Sequence, residues 1–122
     1  MPRRAQPEQQ LQQAVARFLA LALPEGSFFT AFPAGGGGRL RGAFLRSMGL
    51  RAGVPDLMII WQGHYHGIEL KAEGGRATNI QKLCAATIEY AGGRVAVCRS
   101  LQDVQETLAE WGIPLKARVE TA

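Results

Sequence analysis

The segment Gly53-Val54-Pro55-Asp56 and, further along, Glu69-Leu70-Lys71 supply two carboxylates and a primary amine. Hydrolysis of a phosphodiester needs a divalent cation to neutralise the charge that builds on the phosphate and leaving oxygen, and a positioned water to attack in line. Two carboxylates converging on one point attract Mg²⁺, a hard ion that favours oxygen ligands and keeps several waters. Mn²⁺ is expected to substitute. Lys71, beside them, can orient the water or stabilise the transition state. Plainer readings exist: Asp56 after Pro55 can begin a strand or cap a turn, and Glu69 with Lys71 can be an exposed ion pair that contributes little. Convergence of the three side chains decides between the two, and convergence is set by the elements that carry them.

Leu57-Met58-Ile59-Ile60-Trp61 and residues 65–71 are strand-like runs separated by Gln62, Gly63 and His64. Gly at the first central position marks a two-residue type II′ turn, so the spacing predicts a hairpin turning at Gly63-His64. In that register Gln62 pairs with Tyr65, Met58 faces Glu69 and Asp56 faces Lys71. Side chains alternate along a strand, which puts Asp56, Glu69 and Lys71 on one face and Ile68 and Leu70 on the other. Diagonal neighbours across a hairpin lie about 7–8 Å apart, near enough for Asp56 and Glu69 to reach one ion.

The remaining elements follow from period and punctuation. Pro7 suits a first helical position, and Leu11, Val15, Phe18, Leu19 and Ala22 recur at helical spacing until Pro24 and Gly26. Residues 28–32 read as a short strand, 33–41 as a mobile loop containing the run Gly35 to Gly38, and 42–48 as a short helix. Thr78 and Asn79 can cap a helix carrying Ile80, Leu83, Cys84, Thr87, Ile88 and Ala91, closed by Gly92-Gly93. Residues 94–98 read as a third core strand. Ser100, with Asp103 three residues on, opens a last helix with a stripe of Leu101, Val104, Leu108 and Trp111, ended by Gly112 and Pro114. The expected fold class is α/β, a sandwich with a central mixed sheet flanked by helices.

A chain of 122 residues with 47% hydrophobic residues is expected to form one globular domain over 1–122, with loose ends at about 1–5 and 115–122. No apolar run approaches the roughly 20 residues that span a bilayer, and residues 1–13 lack the apolar centre of a signal peptide, so the cytoplasm is the expected location. Cys84 and Cys98 belong to no ligand pattern and read as buried thiols. The net charge of +4 is compatible with a polyanionic partner without requiring one. Arg39, Arg41, Arg46 and Arg51 cluster before Asp56 and are candidates for contacts to nucleic acid, as are Arg76 and Lys82. The same arginines can instead be a solvated loop.

The stretches Met48-Gly49-Leu50-Arg51-Ala52-Gly53-Val54-Pro55-Asp56-Leu57 and Ile68-Glu69-Leu70-Lys71, with Gln81 and Leu83 on the next helix, resemble the VRR-NUC branch of the PD-(D/E)XK nuclease superfamily. The likeness runs from the first helix to Trp111. It implies a restriction-endonuclease-like fold and a metal site of Asp56, Glu69 and the backbone carbonyl of Leu70, with Lys71 catalytic and Gln81 assisting. It also implies that Glu8 belongs to the active centre. The chain resembles the small standalone members, of phage and bacterial type, which look like dimeric resolvases of branched DNA such as the Holliday junction. Residues 72–80 depart from the pattern, which has a Ser-Pro-Glu-like cap before the glutamine. Read from the sequence alone, Gln81 can equally be the partner of Thr78 in a capping box, and Glu8 an acidic residue favoured in a first helical turn.

The expected function is thus Mg²⁺-dependent hydrolysis of DNA, with a non-catalytic nucleic-acid-binding module of the same fold as the alternative. An intact Asp, Glu and Lys set speaks against that alternative, because a binding module has no need to bring carboxylates toward phosphate. Phe28, Phe29, Phe32, Phe44, Leu45 and Met48 offer an interface for a homodimer, or cover the sheet within one chain. His64 and His66 flank Tyr65 at the hairpin tip, where a solvated turn is expected, since two histidines do not make a zinc site. Trp61 and Trp111 sit at periodic positions and are expected to pack, and not to serve as platforms for stacking on bases.

Overall fold

The computed structural model describes residues 6–32 and 38–120. Among them the chain runs α1 (Gln6–Ala22), β1 (Phe28–Ala31), α2 (Gly38–Ser47), β2 (Leu57–Trp61), β3 (His64–Leu70), α3 (Asn79–Tyr90), β4 (Arg94–Cys98) and α4 (Leu101–Glu110). The strands form one mixed sheet in the order β1-β2-β3-β4. β1 and β2 pair antiparallel, as do β2 and β3, whereas β3 and β4 are parallel and joined through α3. A parallel pair needs a crossover of this kind, because its ends lie at opposite edges of the sheet.

Alternation along the strands sorts the sheet into two faces. Leu57 and Ile59 on β2 lie opposite Ile68 and His66 on β3, and Ile68 and Leu70 lie opposite Ala96 and Cys98 on β4. With Val15, Phe18, Leu19, Ala22 and Leu23 of α1 and its exit, and Val104 and Leu108 of α4, these apolar side chains make the core. Truncating Ile68 or Leu108, both fully buried, to Ala is expected to cost about 2–5 kcal/mol. The opposite face, carrying Met58, Ile60, Tyr65, Gly67 and Glu69, is covered by α3, in which Cys84 is the one fully buried residue. α2 buries none of its residues.

The hairpin departs from the predicted register. β2 and β3 turn at Gln62-Gly63, whose φ angles are 51° and 81°. Two positive values in succession define a type I′ turn, whose twist matches that of the flanking strands, and this geometry prevails over the Gly-first II′ alternative. Trp61 therefore pairs with His64, and Met58 faces Gly67 and not Glu69. Continued one step, the pairing sets Asp56 against Glu69 and not against Lys71. The register moves by two residues in the pairing sum, so the faces are preserved.

Other boundaries shift less. β1 stops at Ala31, and helix is present from Gly38, inside the stretch read as a loop; residues 33–37, with Gly35, Gly36 and Gly37, lie outside the described residues. His66 is not part of a solvated turn: it is 4% exposed, and its ring lies 4.9 Å from that of Trp111. The end expected to be loose is tied down in part. The Lys116 N–H donates to the Ala22 carbonyl at 2.7 Å, and Leu115, Ala117 and Val119 pack on the core. Residues 1–5 and 121–122 lie outside the described residues.

Candidate active site

Two close approaches bring Asp56 to its place. Gly53 has a φ of 84°, and a Cβ there would lie 2.6 Å from the Ile80 carbonyl oxygen, so only glycine lets this loop cross the start of α3. At Gly67, a Cβ would stand 2.7 Å from Pro55 Cγ, so the missing side chain on β3 is the seat of the proline that precedes Asp56. The Phe32 N–H binds the Asp56 carbonyl at 2.9 Å, and Asp56 Oδ2 accepts the Leu70 N–H at 2.7 Å. Backbone and side chain of Asp56 are thereby both fixed.

Glu69 is 4% exposed. Its Oε2 accepts Gln81 Nε2 at 2.5 Å and lies 3.9 Å from Lys71 Nζ. Gln81 itself is held by a capping box: its Oε1 accepts the Thr78 N–H at 2.8 Å, and Thr78 Oγ1 accepts the Gln81 N–H at 3.1 Å. The two sequence readings of Gln81 are therefore both satisfied as geometry. One end of the amide caps α3, and the other holds Glu69.

Burial pushes the Glu69 carboxyl up to about 8, with the neighbouring Asp56 charge adding to the rise and Lys71 opposing it. Asp56 is raised as well, by burial first, against the Leu70 N–H and Lys71, which lower it. Glu8, on the first turn of α1, raises both carboxyls, and its Oε2 lies 3.5 Å from the Ala72 nitrogen, just past Lys71. Like charges in a buried place favour a cation. The side chains at hand offer oxygen and no sulfur or imidazole, which is the donor chemistry of a hard ion such as Mg²⁺. Among the described residues no group of three or more His, Cys, Asp or Glu side chains is placed to hold a metal ion, so an ion held by Asp56 and Glu69 would draw its other ligands from main-chain oxygen and water.

The structure thus brings together Asp56, Glu69, Lys71, Gln81 and Glu8, from the residue before β2, β3 and the residue after it, α3 and α1. Leu70 sends its side chain into the core while its N–H serves Asp56. Six further residues were expected to contact nucleic acid. Arg39, Arg41 and Arg46 are on α2, Arg51 follows it, Arg76 precedes α3 and Lys82 is on it, and all six are exposed.

One residue of the site was not singled out in the sequence. Arg99 Nη1 donates to the carbonyls of Ala72 (3.1 Å) and Gly75 (2.5 Å), clasping the segment that leaves Lys71. The Arg99 N–H is in turn taken by Asp103 Oδ2 at 2.9 Å. Its signal becomes legible only once β3 and β4 are known to run parallel with Leu70 opposite Cys98, because that pairing sets position 99 beside position 71.

The family model of the VRR-NUC domain matches residues 6–102. The chain belongs to the VRR-NUC family. It therefore carries a nuclease-type domain of the PD-(D/E)XK superfamily, with nucleic acid as the implied substrate. The match takes in Glu8, Asp56, Glu69, Lys71, Gln81 and Arg99. A solved structure titled "VRR_NUC domain protein" superposes with a TM-score of 0.71 at 23% identity, over 86% of this chain and 87% of that one. A second, titled "VRR_NUC domain", gives 0.55 at 24% identity over 85% and 95%. At these identities the two establish a shared VRR-NUC fold and nothing finer. No curated protein matches the chain. Among the described residues no helix is long and apolar enough to cross a membrane.

Proposed function

We propose that the chain is a Mg²⁺-dependent deoxyribonuclease, with Mn²⁺ able to replace the ion, that acts in the cytoplasm as a homodimer on branched DNA such as the four-way junction. The observation that carries the catalytic part is buried Glu69 set across from Asp56 beside Lys71. Asp56, Glu69 and the Leu70 carbonyl would hold the ion, and Glu8 would join them as a fourth oxygen donor only by a shift of its side chain. When bound, a divalent cation neutralises charge on the phosphate and makes water a better nucleophile at neutral pH. The chain's own residues do the rest. Leu70 N–H and Gln81 Nε2 fix the two carboxylates before substrate arrives, so no reorganisation is needed at the moment of reaction. Lys71 Nζ donates hydrogen bonds to the attacking water or to a non-bridging phosphate oxygen. Arg39, Arg41, Arg46, Arg51, Arg76 and Lys82 lay the DNA backbone along the surface.

The dimeric part is supported by exposed apolar surface. Phe28, Phe44 and Met48 are 58%, 60% and 72% exposed, more than a small monomer ordinarily leaves bare in one region of chain. Phe29 packs on the chain's own core and Phe32 lines a groove of about 310 Å³ with Val54 and Tyr65, which reduces the expected interface to the remaining residues. Two sites related by a twofold axis match a junction whose two strands are cut symmetrically. Sedimentation, with cleavage of labelled junction against linear duplex, tests both parts. A monomer that cuts linear duplex as readily as junctions removes the resolvase reading and leaves the nuclease reading standing.

A further inference from the structure

At the end of the sheet away from Asp56, and on its other face, lies a cleft of about 300 Å³ whose lining includes Trp61, His64, His66, Arg94 and Trp111. Pairing in the sheet assembles it. Trp61 is the cross-strand partner of His64, and His66 is the partner of Arg94, so four side chains stand side by side on one face. Trp111, which caps the C-terminus of α4, brings its ring to 4.9 Å from that of His66.

His66 is 4% exposed, and its buried Nδ1 has no partner of full hydrogen-bond geometry among the described residues, the ring standing near the backbone of Ile59 and His64. Leaving such a group unpaired costs about 1–3 kcal/mol, and native proteins rarely tolerate it without a purpose. Arg94 has no acidic side chain within ion-pairing distance among the described residues. The cleft thus offers a guanidinium, an exposed imidazole, a buried imidazole nitrogen and the open sides of two indoles that, as expected, also pack against the core. A guanidinium recognises phosphate oxygens, and indole faces stack on bases regardless of their identity. Two imidazoles do not suffice for a metal site. The volume lies at the lower end of the range for small-molecule pockets.

We infer that this cleft is a nucleotide-binding site, in which Trp61 and Trp111 take the base, Arg94 and His64 the phosphate, and His66 Nδ1 a polar atom of the base. The nucleotide is either a free mononucleotide or the unpaired, 5′-phosphorylated end of a DNA strand, since both present the same chemistry. The inference does not depend on the nuclease reading. Burial pushes the His66 imidazole down, against backbone hydrogen bonds to Ile59 and His64 that raise it, with the Arg94 charge adding to the fall.

The chain has two tryptophans, and both line the cleft, so tryptophan fluorescence, excited selectively over the two tyrosines, reports on this site. The test is a titration of the metal-free full chain with deoxynucleoside 5′-monophosphates, the matching nucleosides and a short 5′-phosphorylated single strand. Saturable quenching by the monophosphate is expected, with nucleosides weaker by about tenfold or more, the order of a lost charged hydrogen bond. Arg94→Ala, an exposed position, is expected to retain the melting temperature and to lose about tenfold in monophosphate affinity. Single-strand binding tighter than that of the monophosphate identifies a DNA end as the source, and equal or weaker binding a free nucleotide. Absence of a saturable change up to millimolar ligand overturns the inference, and so does equal affinity in Arg94→Ala.

Discussion

Gln81 donates its Nε2 to Glu69 Oε2 at 2.5 Å while its Oε1 accepts the Thr78 N–H at 2.8 Å, so one amide ties the cap of α3 to a buried carboxyl on β3. The two ends can be separated by substitution. Gln81→Ala removes both and is expected to lower stability by about 1 kcal/mol as well as to slow cleavage. Gln81→Glu keeps a capping acceptor but sets a carboxylate against Glu69, so it is expected to melt close to the parent and still lose cleavage. Melting curves and rates measured together check this. Full activity in Gln81→Glu would remove the amide from the active centre.

The raised Glu69 carboxyl gives the metal-free chain a definite pH dependence. The folded state holds a proton up to about 8 that the unfolded chain releases near 4.5. Between those values the native state binds more protons than the unfolded one, so stability falls as pH rises through this window. At the proposed site a divalent cation would bind the ionised form and displace that proton, so its affinity is expected to rise with pH over the same range. Melting temperatures at about pH 5 and about pH 8, each with and without Mg²⁺, are expected to show the decline only in the metal-free samples. A metal-free melting temperature that climbs across the window would contradict the assignment.

Arg99 is expected to act through the segment it clasps and not through substrate. Arg99→Ala frees the carbonyls of Ala72 and Gly75 and is expected to reduce kcat several-fold with little change in KM. Arg99→Lys, a point charge without the guanidinium fork, is expected to restore part of the loss. A change confined to KM would place Arg99 in DNA binding instead.

Neutralising Arg39, Arg41, Arg46 and Arg51 together is expected to weaken DNA binding and flatten its salt dependence, by roughly 0.9 units of log–log slope per lost duplex phosphate contact. Binding isotherms across a salt series decide it. An unchanged slope would make α2 and its exit a solvated surface.

Much of this architecture was legible in the sequence. The stripes Val15, Phe18, Leu19 and Val104, Leu108 mark the helices that cover the core face, and the apolar runs of β2 and β3 mark its centre. Asp56, Glu69 and Lys71 fall on one face whichever two-residue turn closes the hairpin, because the two registers differ by an even step. The turn itself was not legible, since a glutamine at φ 51° is set by tertiary context and not by its own preference. The burial of His66 was hidden because its cover, Trp111, lies far along the chain. Arg99 was hidden for a similar reason: its partners are two carbonyls, and carbonyls have no sequence signature.

In the proposed reaction Asp56 and Glu69 would hold a divalent cation with which Lys71 cleaves DNA. Cleavage of a labelled four-way junction by the parent, Asp56→Asn and Lys71→Ala, in Mg²⁺, in Ca²⁺ and in chelator, with cation affinity measured by calorimetry on the same preparations, tests it most directly. Cutting is expected from the parent in Mg²⁺ alone, with Ca²⁺ bound but unproductive. A loss of at least about 100-fold is expected in both variants, with cation affinity weakened in Asp56→Asn and kept in Lys71→Ala. Near-parental rates in either variant, or cutting that persists in chelator, would contradict it.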